Sequence, residues 1–283
     1  MAPIRKGEYM IQTNSQSSAR LNLQHYWVKE SLGYLLHPDI PVPENAKVAD
    51  IATGTGIWPL SFSRLPSVPP TVQIDGFDIT DAMFPPADWL PPNVSLRTLD
   101  ILQPVPDELK GQYDVVCIRY FGVLIRNNDP EFVLRNLVDL LKPGGYIQWM
   151  ESDIYNQAVV KSTHSALYGV TTTLEQHLPS WRQYLDSSEL RYDWLKTLPT
   201  TCKSIGMSEA KLYTPKIFPA MRFTASYAVL GAWEELSYKF LDERPDKFLG
   251  SGPELREKIE GFRREVAQGA ALDLGFYVTV ARK

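Results

Sequence analysis

Read for apolar and polar spacing, the chain divides into short apolar runs separated by turns and helical stripes. The run at Lys47 to Asp50 is followed by Ala52, Thr53, Gly54, Thr55 and Gly56, then by helix-compatible residues with Pro59 in the first turn. That order predicts a strand, a glycine turn and a helix start. Glycines there let backbone approach a ligand, and the helix start presents unpaired amide donors. Before it, Leu21, His25, Val28 and Leu32 form one buried stripe of a helix beginning at Ser15 and ended by Gly33.

Further runs repeat the alternation. QIDGFDIT predicts a second strand ending at Asp78, and NVSLRTLDIL a third ending at Asp100. Between them the proline-rich DAMFPPADWLPP excludes a regular helix. YDVVCIRY is continuously apolar, as a strand buried on both faces requires, with Arg119 and Tyr120 at its carboxyl end. Asp129 and Pro130 open a helix whose inward stripe is Val133, Leu134, Leu137, Val138 and Leu141. KPGGYIQWMESD then predicts a fifth strand presenting Glu151 and Asp153 at its end. Such alternation defines an α/β class with a doubly wound, mostly parallel sheet, whose ligands sit at the strands' carboxyl ends. Asp50, Asp78, Asp100, Arg119 and Glu151 all fall there.

Past Asp153 the pattern loosens. Residues 158 to 198 read as helices, with Leu167, Val170, Leu174 and Leu178 in one stripe. A helix ending at Gly206, a sixth strand, amphipathic helices over 223 to 242 and 253 to 268, and a last strand LGFYVTVARK complete the chain. The predicted organisation is an N-terminal helical lid (1–40), a nucleotide-type core (41–155), a helical cap insertion (156–205), core strand six (206–222), a second cap insertion (223–270) and a terminal core strand (271–283).

Composition narrows the function. At 283 residues and 44% hydrophobic content the chain can bury a full core. Its net charge of −4 shows no polybasic face, which argues against nucleic acid, and no apolar run reaches the roughly 18 residues of a membrane span. The opening MAPIRKGEYM has no apolar leader core and the two cysteines, Cys117 and Cys202, lie far apart, so a cytoplasmic protein without disulfides is expected. No metal site is read. Seven tryptophans, several outside the core strands, suit an aromatic pocket as well as core packing.

Asp50 with ATGTG, GFDIT, LRTLDIL, YDVVCIRY, NDPEFVLRNLVDLLKPGGYIQW and the closing YVTVARK together resemble the class I S-adenosylmethionine-dependent methyltransferases, in particular the fungal LaeA-like and UMTA-type group. The resemblance covers roughly residues 8 to 155 and the terminal strand. It implies a Rossmann-like, seven-stranded sheet with its last strand antiparallel, S-adenosyl-L-methionine as cofactor and S-adenosylhomocysteine as product. By the same resemblance Ala52, where the family usually has glycine, and Gly54 and Gly56 form the turn against the cofactor's methionine part. Asp78 becomes the ribose ligand with Ile79 against adenine, Asp100 and Ile101 the adenine-edge contacts, and Arg119 the start of a motif facing cofactor and substrate. Tyr9, Arg20 and the Gln24–His25 pair are placed in a lid, with Arg20 toward the cofactor carboxylate.

The expected reaction is methyl transfer to oxygen or nitrogen of a small, largely apolar acceptor such as a polycyclic, indole or polyketide-like molecule. Glu151 is the first candidate base, with His25, Asp153, His164 and His177 as others. Tyr120, Tyr155, Trp181 and Trp233 are candidate substrate contacts. The cap helices offer a homodimer face as an alternative use of their aromatics. Three other readings stay open: a methyltransferase-like regulator acting through protein partners, a cofactor-binding relative catalysing cyclisation or rearrangement, and an NAD-dependent dehydrogenase. The last is disfavoured by Pro59, which stands where a third glycine is expected, and by the broken segment 81 to 92.

Overall fold

The computed structural model describes residues 14–283. Helix α1 (Ser15–Leu32) is capped by the Asn14 side chain, which accepts from the Ser17 amide, and ends at left-handed Gly33. Seven strands follow: β1 (Lys47–Ile51), β2 (Gln73–Asp78), β3 (Val94–Thr98), β4 (Tyr113–Arg119), β5 (Leu141–Lys161), β6 (Glu209–Tyr213) and β7 (Ala270–Arg282). They form one sheet in the order β3-β2-β1-β4-β5-β7-β6, with β7 antiparallel to both neighbours. The expected doubly wound, seven-stranded sheet with an antiparallel last strand is therefore borne out.

The order in which strands are added reverses between β1 and β4, which are parallel, hydrogen-bonded neighbours. That opens the ligand crevice at their carboxyl ends. Alternate residues of these strands feed two cores: Val48, Val115 and Cys117 pack on one side, and Ala49, Ile51, Val116 and Ile118 on the other. Both strands are buried on both faces, as their unbroken apolar runs predict. Helices α2 (Ile57–Phe62), α3 (Glu131–Leu140), α5 (Trp194–Ser204), α4 (Thr173–Ser187), α6 (Arg222–Leu236) and α7 (Gly252–Ala267) complete the layers. A short π-helical turn, Ser237–Leu241, follows α6. No helix among the described residues is long and apolar enough to cross a membrane.

Two sequence expectations change. β5 does not end near Asp153; it bulges there and runs on to Lys161, pairing with the first residues of β7. Val159 and Val160 favour extended backbone, and Ala270 to Asp273 supply the partner edge. Consequently residues 158–161 are strand, and Leu167 and Val170 lie in turns ahead of α4 rather than on its stripe. The start of α4 is fixed instead by a capping box in which Thr172 and Glu175 exchange side-chain and backbone hydrogen bonds. At α3, Pro130 is the N-cap residue, and Asp129 accepts from the Glu131 amide at 3.1 Å.

Candidate active site

The turn after β1 is built from left-handed backbone. Ala52, Gly54 and Gly56 have φ of 55°, 61° and 73°. Ala52 takes this conformation despite its methyl group, at a cost of about 1–2 kcal/mol. Thr53 ties the turn down by donating its hydroxyl to Asp50 Oδ2 at 2.7 Å and its amide to the Phe77 carbonyl at 2.9 Å. The Gly54 amide donates to Asp78 Oδ2 at 2.8 Å, so the end of β2 is locked to the turn. Burial raises the Asp78 carboxyl above its ordinary range, against the lowering effect of the Gly54, Thr80 and Ile79 amides. Gly56 serves packing: a Cβ there would lie 2.7 Å from Leu96 Cδ1.

A cavity of about 240 Å³ opens beside this turn. Ala52, Gly54, Asp78, Ile79, Asp100, Ile101, Arg119 and Tyr120 line it, all singled out from sequence. Sequence reasoning did not assign Leu21, Met83, Phe121 or Lys239 to this wall. Leu21 was visible only as a stripe residue of α1, and Lys239 arrives on the π-helical turn after α6, which no local pattern announces. Arg119 brings to this cavity a buried Nε with no hydrogen-bond partner among the described residues.

Several predicted ligands stand elsewhere. Asp50 is buried behind the turn and does not line the cavity; burial pushes its carboxyl up to about 6, while Arg119 and Thr53 pull it down. Arg20 is turned away from this cavity by Glu235, with Nε 2.7 Å from Oε1 and Nη2 3.4 Å from Oε2. Both members of that pair are buried, so the charge of Arg20 is met inside the protein. The ring of His25 lies beside Arg119, Nδ1 to Nη1 3.4 Å, and does not line this cavity. Burial, then Arg119 and Lys29, lower its pKa to about 3, so it stays neutral at physiological pH. Tyr9 lies outside the described residues.

A second cavity of about 120 Å³ adjoins the first, and Leu21 and Tyr120 belong to the walls of both. Tyr120 reaches this position through left-handed backbone, φ 55°, a strained state for a bulky residue. Its hydroxyl accepts from Ser152 Oγ at 3.2 Å. Trp181 and Trp233, both singled out from sequence, line the cavity with their rings 4.8 Å apart, and Trp27 and Tyr192 join them. Tyr155 does not: its hydroxyl donates to Asp186 at 3.0 Å and Arg191 covers its ring.

Among the described residues Glu151 is the one carboxyl group on this wall. Its Oε1 accepts three N–H groups, from Phe121 at 2.6 Å, Gly122 at 3.0 Å and Trp149 Nε1 at 2.9 Å. Among the described residues no hydrogen bond falls on Oε2. Burial pushes the carboxyl up to about 8 despite those three donors. The other candidate bases are engaged differently. Asp153 holds the β5 bulge by accepting from Tyr155 and Asn156 amides. His177 is buried against Trp233 and Phe262, and burial lowers its pKa to about 4. His164 is exposed beside Thr163.

Residues 36–214 match the ubiE/COQ5 methyltransferase family, and the chain belongs to it. Its cofactor is S-adenosyl-L-methionine. Over 151 residues the chain is 38% identical to methyltransferase grgD of a Penicillium species, covering 51% of this chain and 52% of that protein. It is 35% identical over 147 residues to N-methyltransferase verN of Clonostachys rogersoniana, covering 52% and 50%. The chain thus spans about half the length of the curated relatives it matches. Phosphoethanolamine N-methyltransferase 2 of Haemonchus contortus, solved with S-adenosyl-L-methionine, shares the fold with a TM-score of 0.52 at 14% identity, covering 94% of this chain and 57% of that one.

The first cavity's residues fit that cofactor. Arg119 Nε is a buried donor, unpartnered among the described residues and suited to an anionic or carbonyl oxygen. Asp78 and Asp100 are acceptors for hydroxyl and amine hydrogens, and Ile79, Leu99 and Ile101 supply apolar wall. At Gly54 a Cβ would come 3.2 Å from Leu21 Cδ1, a tight contact between α1 and the turn that glycine avoids.

Proposed function

We propose that this protein transfers a methyl group from S-adenosyl-L-methionine to a nitrogen or oxygen atom of a small, largely apolar acceptor held in the Glu151 cavity. The observation that carries the reading is the junction of the two cavities at Leu21 and Tyr120. One side offers the glycine turn, Asp78, Asp100 and Arg119; the other offers aromatic walls and one carboxyl group. The relative named an N-methyltransferase favours nitrogen as the acceptor atom.

When bound, the cofactor supplies an electrophilic methyl carbon whose bond to sulfur breaks as the acceptor's lone pair bonds to it. The chain's own work is to orient, exclude water and take a proton. In this reading Asp78, fixed by the Gly54 amide, accepts from ribose hydroxyls, and Arg119 donates to the methionine carboxylate. Tyr120, held by Ser152, forms the wall across which donor and acceptor face each other, which supplies the approach geometry that such displacements need. Glu151 receives the acceptor's proton on Oε2, because Oε1 is occupied by three donors. A pKa of about 8 makes it a matched base near neutral pH.

The test is mass spectrometry of protein, cofactor and a panel of apolar amines, amides and phenols. A product heavier by one methylene, formed in step with S-adenosylhomocysteine, is the expected result. Cofactor recovered unchanged with every acceptor class would count against methyl transfer.

A further inference from the structure

The cavity around Glu151 has a composition that selects among acceptors. Its carboxyl group is buried and has no ion-pair partner among the described residues. The cation on the same wall, Arg20, is neutralised by Glu235. Three indoles and two phenols, Trp27, Trp181, Trp233, Tyr120 and Tyr192, reach this one cavity from different segments of the chain. Aromatic faces carry the negative end of a quadrupole and attract cations, most strongly when water is excluded. An anionic ligand would meet a carboxyl group and these faces, with no unpaired cation on this wall among the described residues. A neutral apolar ligand would leave Glu151 Oε2 without a partner in a dry site, which costs free energy.

We infer that this cavity is a carboxylate-and-aromatic cage for a protonated amine on an apolar body, so that the acceptor is an alkyl- or arylalkyl-ammonium rather than a phenol, amide or carboxylic acid. The inference rests on the methyltransferase reading for the acceptor's role, though not for the binding itself. Oε1 of Glu151 is held by the Phe121, Gly122 and Trp149 N–H groups, so the ammonium bonds to Oε2. Gly122 keeps that oxygen accessible: a Cβ there would lie 3.2 Å from Oε2 and 3.1 Å from the Tyr192 hydroxyl.

Binding is then linked to a proton. The titratable groups around Glu151 are Tyr120 and Tyr192, with Asp153 and Arg126 beyond Tyr192 and the Arg20–Glu235 pair across the cavity. Tyr120 and Tyr192 are pushed up by burial and stay neutral, so Glu151 is the group that releases the proton. With its pKa near 8, most of the free protein carries that proton at neutral pH. An ammonium drives it off, and affinity rises with pH until Glu151 is ionised.

The experiment is calorimetric titration of the full chain, saturated with S-adenosylhomocysteine, at neutral pH in two buffers of different ionisation enthalpy. The probes are 2-phenylethylamine, the neutral 3-phenyl-1-propanol and the anionic 3-phenylpropanoate. The amine is expected to bind roughly tenfold or more tighter than the alcohol, with the acid weakest, and to release close to one proton. In Glu151→Gln the proton release and the amine preference are expected to vanish. Should that variant fail to fold, the probe order and proton count in the unaltered protein still decide. Alcohol binding equal to amine binding, amine binding without proton release, or no amine binding overturns the inference. Methyl transfer to phenols or amides alone would overturn it and leave the methyltransferase reading standing; amine binding without any methyl transfer would do the reverse.

Discussion

Glu151 Oε1 lies 3.0 Å from the amide nitrogen of Gly122, and no larger residue than glycine fits at that amide. A Cβ would stand 2.9 Å from Tyr192 Cε1 and 3.2 Å from Glu151 Oε2. The carboxyl group is thus positioned by a segment whose own side chain must be absent. Gly122→Ala is expected to cost about 1–3 kcal/mol of stability as an overpacked site. It should also lower turnover more than cofactor affinity, since Gly122 does not line the first cavity. Chemical denaturation and steady-state kinetics check both parts.

Glu151 should set the pH dependence of the reaction. Acting as the proton acceptor, it must be ionised, so kcat/KM is expected to rise with pH up to about 8 and then level. Glu151→Gln should remove that limb and lower the rate by about 10²- to 10⁴-fold. Stability moves the opposite way. The folded-state pKa is raised, so the contribution of Glu151 is full below the ordinary glutamate value and is lost as pH rises toward about 8. The stability gap between wild type and Glu151→Gln, followed by denaturation across that window, checks the sign.

Asp78→Ala is expected to weaken S-adenosylmethionine binding by about 1.5–3 kcal/mol, the range for hydrogen bonds to a charged group. The same change frees the Gly54 amide, which donates to Asp78 at 2.8 Å. Asp78→Asn, which keeps an acceptor for that amide, separates the two effects. Calorimetric affinity unchanged in both variants would remove Asp78 from the cofactor site.

The Arg20–Glu235 pair distinguishes a structural from a ligand-binding arginine. Removing either partner alone should cost about 3–5 kcal/mol, because the other charge remains buried and unpaired. Arg20→Met combined with Glu235→Leu should recover most of that loss. Cofactor affinity in the double variant is expected to stay within about threefold of wild type. A large loss there would restore the role that sequence resemblance gave Arg20.

The wall of the first cavity was legible because its signals are local. Ala52 to Gly56, Asp78, Asp100 and Arg119 each end a strand, and parallel strands deliver such residues to one sheet edge. What the sequence concealed depends on partners far along the chain. Arg20 looked free for a ligand because nothing near it announces Glu235, more than two hundred residues away. His25 sat on a buried stripe, but the Arg119 beside it, which helps hold it neutral, comes from β4. Aromatic richness singled out Trp181 and Trp233, which line the second cavity, yet it could not tell them from Tyr155, which Asp186 and Arg191 hold outside. The extension of β5 to Lys161 was hidden for the same reason: its pairing edge is β7, at the far end of the chain.

Two adjoining cavities, meeting at Leu21 and Tyr120, are proposed to hold cofactor and acceptor. A crystal structure of the full chain with S-adenosylhomocysteine tests it most directly. Ligand density is expected beside Gly54, Asp78 and Asp100, with the Glu151 cavity left open next to it. Density in the Glu151 cavity instead, or a ligand bound away from Asp78, would contradict it.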